Sequence, residues 1–229
     1  MKLPKSPARV LVWDLPARVC HWGFALSISV SLIIAFRFDP ESEIFKYHMP
    51  LGLIGAWFLV IRIVLGFCGG AQSRWRSFFH PPLRTLRYFA DVVRWRDDPH
   101  QGLNPGTSLF APAAYLALVA LIVTGFQYDW VETWHGRLAW GMIGLIPVHL
   151  LGLTLHALRH RALTPLAMIH GRGEGLEDGA TGRHRLAGII LLLLSGLVVW
   201  GVFTRFNPET STLLIPYYGP FYFPLTQRG

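Results

Sequence analysis

The chain has 229 residues, of which 52% are hydrophobic and only 15% are charged. The apolar residues are concentrated in five long runs, which excludes an ordinary soluble domain. The formal net charge of +8 is not a nucleic-acid signal, because the basic residues are confined to particular loops between the runs. Two cysteines are too few to hold an iron–sulfur cluster, and no Cys-x-x-Cys-His motif for covalent haem attachment is present.

The five runs reach or approach the roughly 20 residues that a helix needs to cross a bilayer. They cover residues 19–36, 47–71 (interrupted only by Arg62), 109–126, 138–158 and 186–204. The sequence therefore predicts an all-α integral membrane protein, with a four-helix transmembrane bundle plus a fifth transmembrane helix. The first run is too long for a signal peptide, and Arg37-Phe-Asp-Pro follows it instead of a small-residue cleavage site.

The distribution of Lys and Arg among the loops predicts the orientation. The N-terminal segment and the loops after the second and fourth runs are basic, whereas the other two connections are more acidic than basic. Because cytoplasmic loops are enriched in Lys and Arg, we expect a cytoplasmic N-terminus and a periplasmic C-terminus. The expected location is a bacterial inner membrane, with membrane lipids and not nucleic acid as surroundings.

The sequence also predicts how the chain is divided. Residues 1–172 would form the four-helix bundle, including a cytoplasmic amphipathic segment at 74–98. Helically spaced apolar residues in that segment predict a helix lying on the inner leaflet: Leu83, Leu86, Phe89, Ala90 and Val93. Residues 173–229 would form a cytoplasmic linker, a transmembrane helix at about 184–205 and a periplasmic tail. That tail is rich in proline and aromatic residues, which excludes a regular helix.

Four histidines in the apolar runs are the main candidate functional residues. His135 and His149 are 14 residues apart, which places them on one helix face about 21 Å apart along the axis. His149 matches the cytoplasmic depth of His21, and His135 matches the periplasmic depth of His48. Imidazole is a strong axial ligand for haem iron, so the pattern predicts two bis-histidine haems in the bundle. The alternative is four polar residues hydrogen-bonded between helices.

The positions of further residues indicate secondary roles for them. Arg62 shares the helix face of His48 at the cytoplasmic depth, so it would face a protein or cofactor partner, or else extend to the membrane surface. Glycines beside the histidines would leave room for a porphyrin or serve plain helix packing: Gly52, Gly55, Gly141 and Gly144. His156 lies about 31 Å from His135 along the helix and is a poorer ligand.

The sequence resembles the bacterial cytochrome b561 family, including the b-type cytochrome subunits of nickel–iron hydrogenases and thiosulfate reductases. The resemblance covers about residues 10–172. It lies in Val-Trp-Asp-Leu-Pro-Ala-Arg-Val-Cys-His-Trp at 12–22, His48 with Gly52, Asn104-Pro105, the pair His135 and His149, and residues 158–172. A departure is Leu103, which stands where a histidine is expected.

The resemblance implies a function for these residues. His21, His48, His135 and His149 would be the ligands of two haem b groups, and the chain would pass electrons between quinone and a periplasmic redox partner. That partner would be a cytochrome c or a reductase or dehydrogenase subunit. Quinone would meet the cytoplasmic haem near Arg18, Trp22 and Arg62.

Two other functions remain open at this stage. A stand-alone protein of this kind would oxidise superoxide at the outer face and reduce quinone, with Arg37, Lys46 and Arg137 attracting the anion. A haem-free membrane anchor or proton-relay subunit would instead use the intramembrane histidines to carry protons. The colour of the purified protein separates the haem proteins from this last class.

Overall fold

The computed structural model describes residues 9–96, 103–126, 128–160, 166–174 and 184–223. Five helical segments in it are long and apolar enough to cross a membrane, which confirms the fold class. The helices are α1 (Leu15–Arg37), α2 (Glu43–Lys46), α3 (His48–Cys68), α4 (Pro82–Val93), α5 (Pro105–Phe126), α6 (Tyr128–His160), α7 (Ala167–His170) and α8 (Arg185–Arg205). The second span consists of α2 and α3, and two 3₁₀ turns at Ala71–Ser73 and Trp75–Phe78 follow it.

Capping side chains mark where two of the spans begin, and one of these caps sets the height of His21. Asp14 Oδ1 accepts from the backbone N–H of Ala17 at 3.0 Å, which starts α1 at Leu15, six residues before His21. Asn104 Oδ1 accepts from the N–H of Thr107 at 2.8 Å at the start of α5. Tyr47 between α2 and α3 keeps helical backbone angles, so His48 begins α3 without a break in direction.

The bundle is built from two closely packed helix pairs, α1 with α3 and α5 with α6. Gly23 allows this closeness in the first pair, because the ring of Phe58 occupies the place where a Cβ atom would be. The buried core lies at the middle of the bundle and is formed by Ile28, Leu32, Leu59, Leu118, Leu121, Ala139 and Met142. The fifth span, α8, packs against α1 and α3, and Trp57 Nε1 donates to Ser195 Oγ across that contact at 3.1 Å.

The end of the bundle where α1 begins, called here the N-terminal face, has a short antiparallel sheet. Strands β1 (Arg9–Leu11) and β2 (Arg172–Glu174) pair with Val10 opposite Gly173. Helix α4 lies at the same face and leaves one apolar side exposed, formed by Leu83, Leu86, Phe89 and Val93. That arrangement suits a helix lying on lipid, and membrane contact remains a prediction.

The opposite end, the C-terminal face, has a second sheet that the sequence did not predict. Strands β3 (Phe206–Asn207), β4 (Thr212–Ile215) and β5 (Gly219–Tyr222) form an antiparallel sheet in that order. Phe221 contacts Phe126 of α5 with ring centroids 5.9 Å apart, which joins the sheet to the bundle. Residues 206–223, the part of the tail that the structure describes, are therefore not helical, as expected, but they have regular structure.

Candidate functional site: two histidine pairs

The four predicted histidines come from three helices and lie in two groups. His48 of α3 and His135 of α6 lie toward the C-terminal face and are called here the C-face pair. His21 of α1 and His149 of α6 lie toward the N-terminal face and are called the N-face pair. The apolar core separates the groups, since Ile28 follows His21 on α1 and Met142 lies between the two histidines of α6.

The C-face pair is in direct ring contact. The imidazoles of His48 and His135 lie edge to face with centroids 5.9 Å apart. Nδ1 of His48 is 2.8 Å from Ser31 Oγ and 3.1 Å from the carbonyl oxygen of Ser31, both on α1. Phe45 stacks on the same ring at 5.8 Å. His48 is therefore fixed by α1 at one nitrogen, while Nε2 has no hydrogen-bond partner among the described residues.

His135 is fixed in a similar way by α5. Thr124 Oγ1 lies 3.1 Å from His135 Nδ1. The next residue, Gly125, permits this approach, because a Cβ atom there would lie 3.3 Å from His135 Cε1. Thr124 and Gly125 lie at the end of the third apolar run, and nothing in their spacing indicated a contact with His135.

The N-face pair lies in a different environment. His21 and His149 come from different helices, α1 and α6, and both lie toward the N-terminal face. Neither has a hydrogen bond within the part of the chain that the structure describes. Phe110 of α5 stacks on His149 with centroids 4.4 Å apart and an angle of 15° between the rings, and Trp22 meets the edge of His21 at 5.5 Å.

Two predicted site residues beside His21 bind the chain after α6. Arg18 Nη1 donates to the carbonyl of Ile169 at 2.7 Å, and Trp22 Nε1 donates to that of Met168 at 3.0 Å. Arg18 Nε is buried and has no hydrogen-bond partner among the described residues. We call residues 167–174, together with β1, the clasp. One guanidinium nitrogen of Arg18 thus remains for a ligand, whereas the single N–H of the Trp22 indole is used.

Arg62 is buried, with only 8% of its surface exposed, so it does not extend to the membrane surface. Its Nε donates to Tyr115 OH at 3.0 Å and its Nη1 to the carbonyl of Ser73 at 2.9 Å. The guanidinium also lies 4.8 Å from the ring centroid of Phe78 and 5.1 Å from that of Trp75. No described carboxylate pairs with it, so neutral oxygens and aromatic faces replace the anionic partner expected from the sequence.

The remaining candidate residues, one arginine and two glycines, lie in different surroundings. Arg137 is exposed and lies over Trp134 at 5.0 Å, without contact to either histidine pair. A Cβ atom at Gly52 would meet nothing within 4 Å, which leaves open space one turn from His48. At Gly55 the side chain of Ile28 fills the space, so the expected room for a porphyrin is absent there.

Histidines outside the two pairs have other neighbours. His156 and His160 lie near each other on α6, with ring centroids 4.6 Å apart. His170 Nδ1 accepts from the N–H of Arg172 at 3.0 Å within the clasp. His100 lies outside the described residues. Within the described ranges, no three His, Cys, Asp or Glu side chains gather into a metal cage, so the candidate centres are pairs.

Comparison with known proteins identifies the family. The family model of prokaryotic cytochrome b561 matches residues 12–171, well over half of the chain. The chain belongs to the prokaryotic cytochrome b561 family. It is also 26% identical over 201 residues to a probable Ni/Fe-hydrogenase B-type cytochrome subunit of Bradyrhizobium diazoefficiens, covering 74% of this chain and 79% of that protein. No solved structure matches it.

Membership of this family makes the chain a multi-pass membrane b-type cytochrome that takes part in electron transfer. Such a protein binds haem noncovalently, and the residues present fit that group. Histidines that ligate a metal usually donate their second ring N–H to an oxygen atom. Nδ1 of His48 and of His135 each lie beside such oxygens, which leaves Nε2 for iron.

Proposed function

We propose that this cytochrome holds two haem b groups, one at each histidine pair, and conducts electrons across the membrane. The observation that supports this most strongly is the arrangement of four histidines as two pairs at two levels of one bundle. His135 and His149 of α6 then supply one ligand to each haem, and His48 and His21 supply the others. Each bound haem would supply a one-electron iron couple.

The chain itself would supply position and a low dielectric. Two histidines on facing helices would hold the haem iron at each pair, and iron held in this way would supply electron transfer rather than oxygen binding. The apolar core between the pairs keeps water away from the middle of the bundle. Hydrogen bonds at Nδ1 of His48 and His135 hold the rings in a fixed orientation.

The N-terminal face is proposed to be cytoplasmic, because the basic loops lie there. A quinone would then exchange electrons with the haem at the N-face pair, close to Arg18 and Arg62. The buried Arg18 Nε supports this placement, since it offers a donor that no described residue uses. Arg62 contributes a fixed positive charge at the same depth.

The C-terminal face would then meet the redox partner. The relative in Bradyrhizobium is named as a probable hydrogenase cytochrome subunit, so a redox enzyme subunit is the proposed class of partner. The C-face pair lies at this end, next to the terminal sheet. Electrons would therefore enter or leave the bundle through the haem between His48 and His135.

The test is the haem content of purified protein and of four single variants. Protein expressed with sufficient haem should be red and contain two haems per chain by pyridine haemochrome. His48→Ala and His135→Ala should each lose the same haem, while His21→Ala and His149→Ala should each lose the other. Redox titration of the remaining haem identifies which one was lost.

His156→Ala is the matched control, since His156 also lies on α6 but belongs to neither pair. It should retain two haems. Loss of a haem from His156→Ala but not from His149→Ala would show that the N-face pair is wrongly assigned. Colourless wild-type protein would refute the haem proposal as a whole.

A further inference from the structure

We propose that Ser31 and Thr124 are positioning residues for the C-face haem. Their hydroxyl groups fix the proton of His48 and of His135 on Nδ1, aim Nε2 at the iron and lower the reduction potential of that haem. This inference rests on the proposed function, because it concerns the ligands named there. It adds two residues that do not touch iron and act through the histidines.

The proton positions at His48 follow from the atoms that surround Nδ1. The carbonyl oxygen of Ser31 lies 3.1 Å from Nδ1 and can only accept, so Nδ1 must carry the proton. Ser31 Oγ, at 2.8 Å, is then a second acceptor for the same N–H. The Ser31 hydroxyl proton is directed instead at the carbonyl oxygen of His48, at 3.1 Å. One serine thereby binds both the ring and the backbone of His48.

The proton position at His135 follows from the same kind of argument. Thr124 Oγ1 lies 2.7 Å from the carbonyl oxygen of Ala120, one turn earlier on α5, and this carbonyl can only accept. The hydroxyl proton is therefore donated to Ala120, and the lone pairs of Oγ1 face His135 Nδ1 at 3.1 Å. Nδ1 must donate, so the proton of this ring also lies on Nδ1.

Both C-face histidines therefore present an unprotonated Nε2, the form that binds iron. Donation from Nδ1–H to an oxygen makes the imidazole a more basic ligand. A more basic ligand stabilises ferric iron relative to ferrous iron, which lowers the reduction potential. The N-face pair has no comparable hydrogen bond among the described residues, so the effect should be confined to one haem.

Removal of each hydroxyl tests the proposal, with control variants in α1 and α6. Thr124→Val keeps the shape of the side chain and removes the hydroxyl acceptor from His135. Ser31→Ala removes one of two acceptors from His48. The control for Ser31→Ala is Ser27→Ala. Ser27 is also buried on α1, and its hydroxyl donates to the carbonyl of Phe24 at 3.2 Å. The control for Thr124→Val is Thr154→Val, since the Thr154 hydroxyl donates to the carbonyl of Leu150 within α6 at 2.7 Å.

We expect Thr124→Val to raise the midpoint potential of the C-face haem and to weaken its binding by about 10–100-fold. Ser31→Ala should change the midpoint potential and the haem affinity in the same direction, because it also removes a hydroxyl acceptor from a C-face histidine. The g values of that low-spin ferric haem should shift in both variants. Thr124→Ser, which keeps the hydroxyl, should restore the potential. The N-face haem and both control variants should match the wild type.

Unchanged potential and g values in Thr124→Val and Ser31→Ala, with two haems bound, would overturn the inference. Equal shifts in Ser27→Ala would also overturn it, because they would indicate a general packing effect. The proposed function fails by a different result, namely retention of both haems in His48→Ala and His135→Ala. The two failures are therefore distinguishable in one set of variants.

Discussion

The two histidine pairs come from the same bundle but are fixed by different interactions. In the C-face pair, hydroxyl groups of α1 and α5 bind Nδ1 of each ring. In the N-face pair, aromatic rings pack on the imidazoles, and the clasp closes over the end of α1. Hydrogen bonds define both the tautomer and the direction of a ring, whereas stacking limits only its plane.

This difference indicates that the N-face site is the more adaptable of the two. Its charged neighbour, Arg62, is held by Tyr115 of α5 and by Ser73 after α3, so two helix pairs must dock correctly to complete it. A site that exchanges electrons with a diffusing small molecule benefits from such adaptability. A site next to a protein partner benefits from fixed ligands.

The largest effect in this comparison should come from Arg62→Gln. Each charge-assisted hydrogen bond lost is worth about 1.5–3 kcal/mol, so the unfolding temperature in detergent should fall. The buried guanidinium is a fixed positive charge toward the N-terminal face, so its loss should lower the midpoint potential of the N-face haem. The C-face haem should keep its potential. Redox titration measures the midpoint potentials of the two haems.

Two variants separate the causes of the Arg62→Gln effect. Arg62→Lys keeps the charge but loses the planar fork of donors, so it should lower stability with little change in potential. Arg137→Gln removes an exposed arginine near the other face, and solvent screening should leave both haems unchanged. A fall in the C-face potential in Arg62→Gln would contradict the separation of the two sites.

A smaller effect is expected from replacing the phenylalanines that stack on the histidines, one at each pair. Phe110 stacks on His149 at 4.4 Å and Phe45 on His48 at 5.8 Å. Phe110→Leu should weaken the N-face site by about 0.5–1.5 kcal/mol, the worth of an aromatic pair. Phe45→Leu should have less effect, because Ser31 still fixes His48. Equal loss of haem in the two variants would show that hydrogen bonding does not distinguish the pairs.

The sequence was sufficient for the spans and for the levels of the four histidines. Both depend on regular periods, namely the length of an apolar run and the turn of a helix, and neither requires knowledge of how helices pack. The heights of His135 and His149 follow from their separation along α6 alone. The family was likewise identifiable from the motif at 12–22 together with the 14-residue separation of His135 and His149.

The sequence was not sufficient for the contacts that complete each site. Tyr115 is 53 residues from Arg62, and Ser31 is 17 residues from His48, so only tertiary packing brings them together. Serine and threonine are common in apolar runs and give no signal by themselves. The terminal sheet escaped prediction because its strands have two to four residues, too few to show an alternating pattern.

The smallest effect on the haems should come from the tip of the terminal sheet, where Tyr217 and Tyr218 are almost fully exposed. Tyr217 has a φ of 69°, so the turn presents both rings away from the bundle. Tyr217→Ala with Tyr218→Ala should leave both haems bound and their potentials unchanged, because neither ring contacts a histidine. If the redox partner docks at this face, electron transfer to an outer acceptor should become slower while quinone reactivity is retained.

That prediction requires the C-terminal face to be periplasmic, which labelling can test without reference to any partner. Tyr218→Cys introduces an exposed thiol at this face, while the native Cys68 is exposed at the other end of the bundle and Cys20 is buried. A maleimide that cannot cross membranes should label Tyr218→Cys in intact spheroplasts, and Cys68 only after lysis. The variant Cys68→Ser identifies each signal. Labelling in the reverse order would place the sheet in the cytoplasm, and the partner would then have to meet the N-face pair.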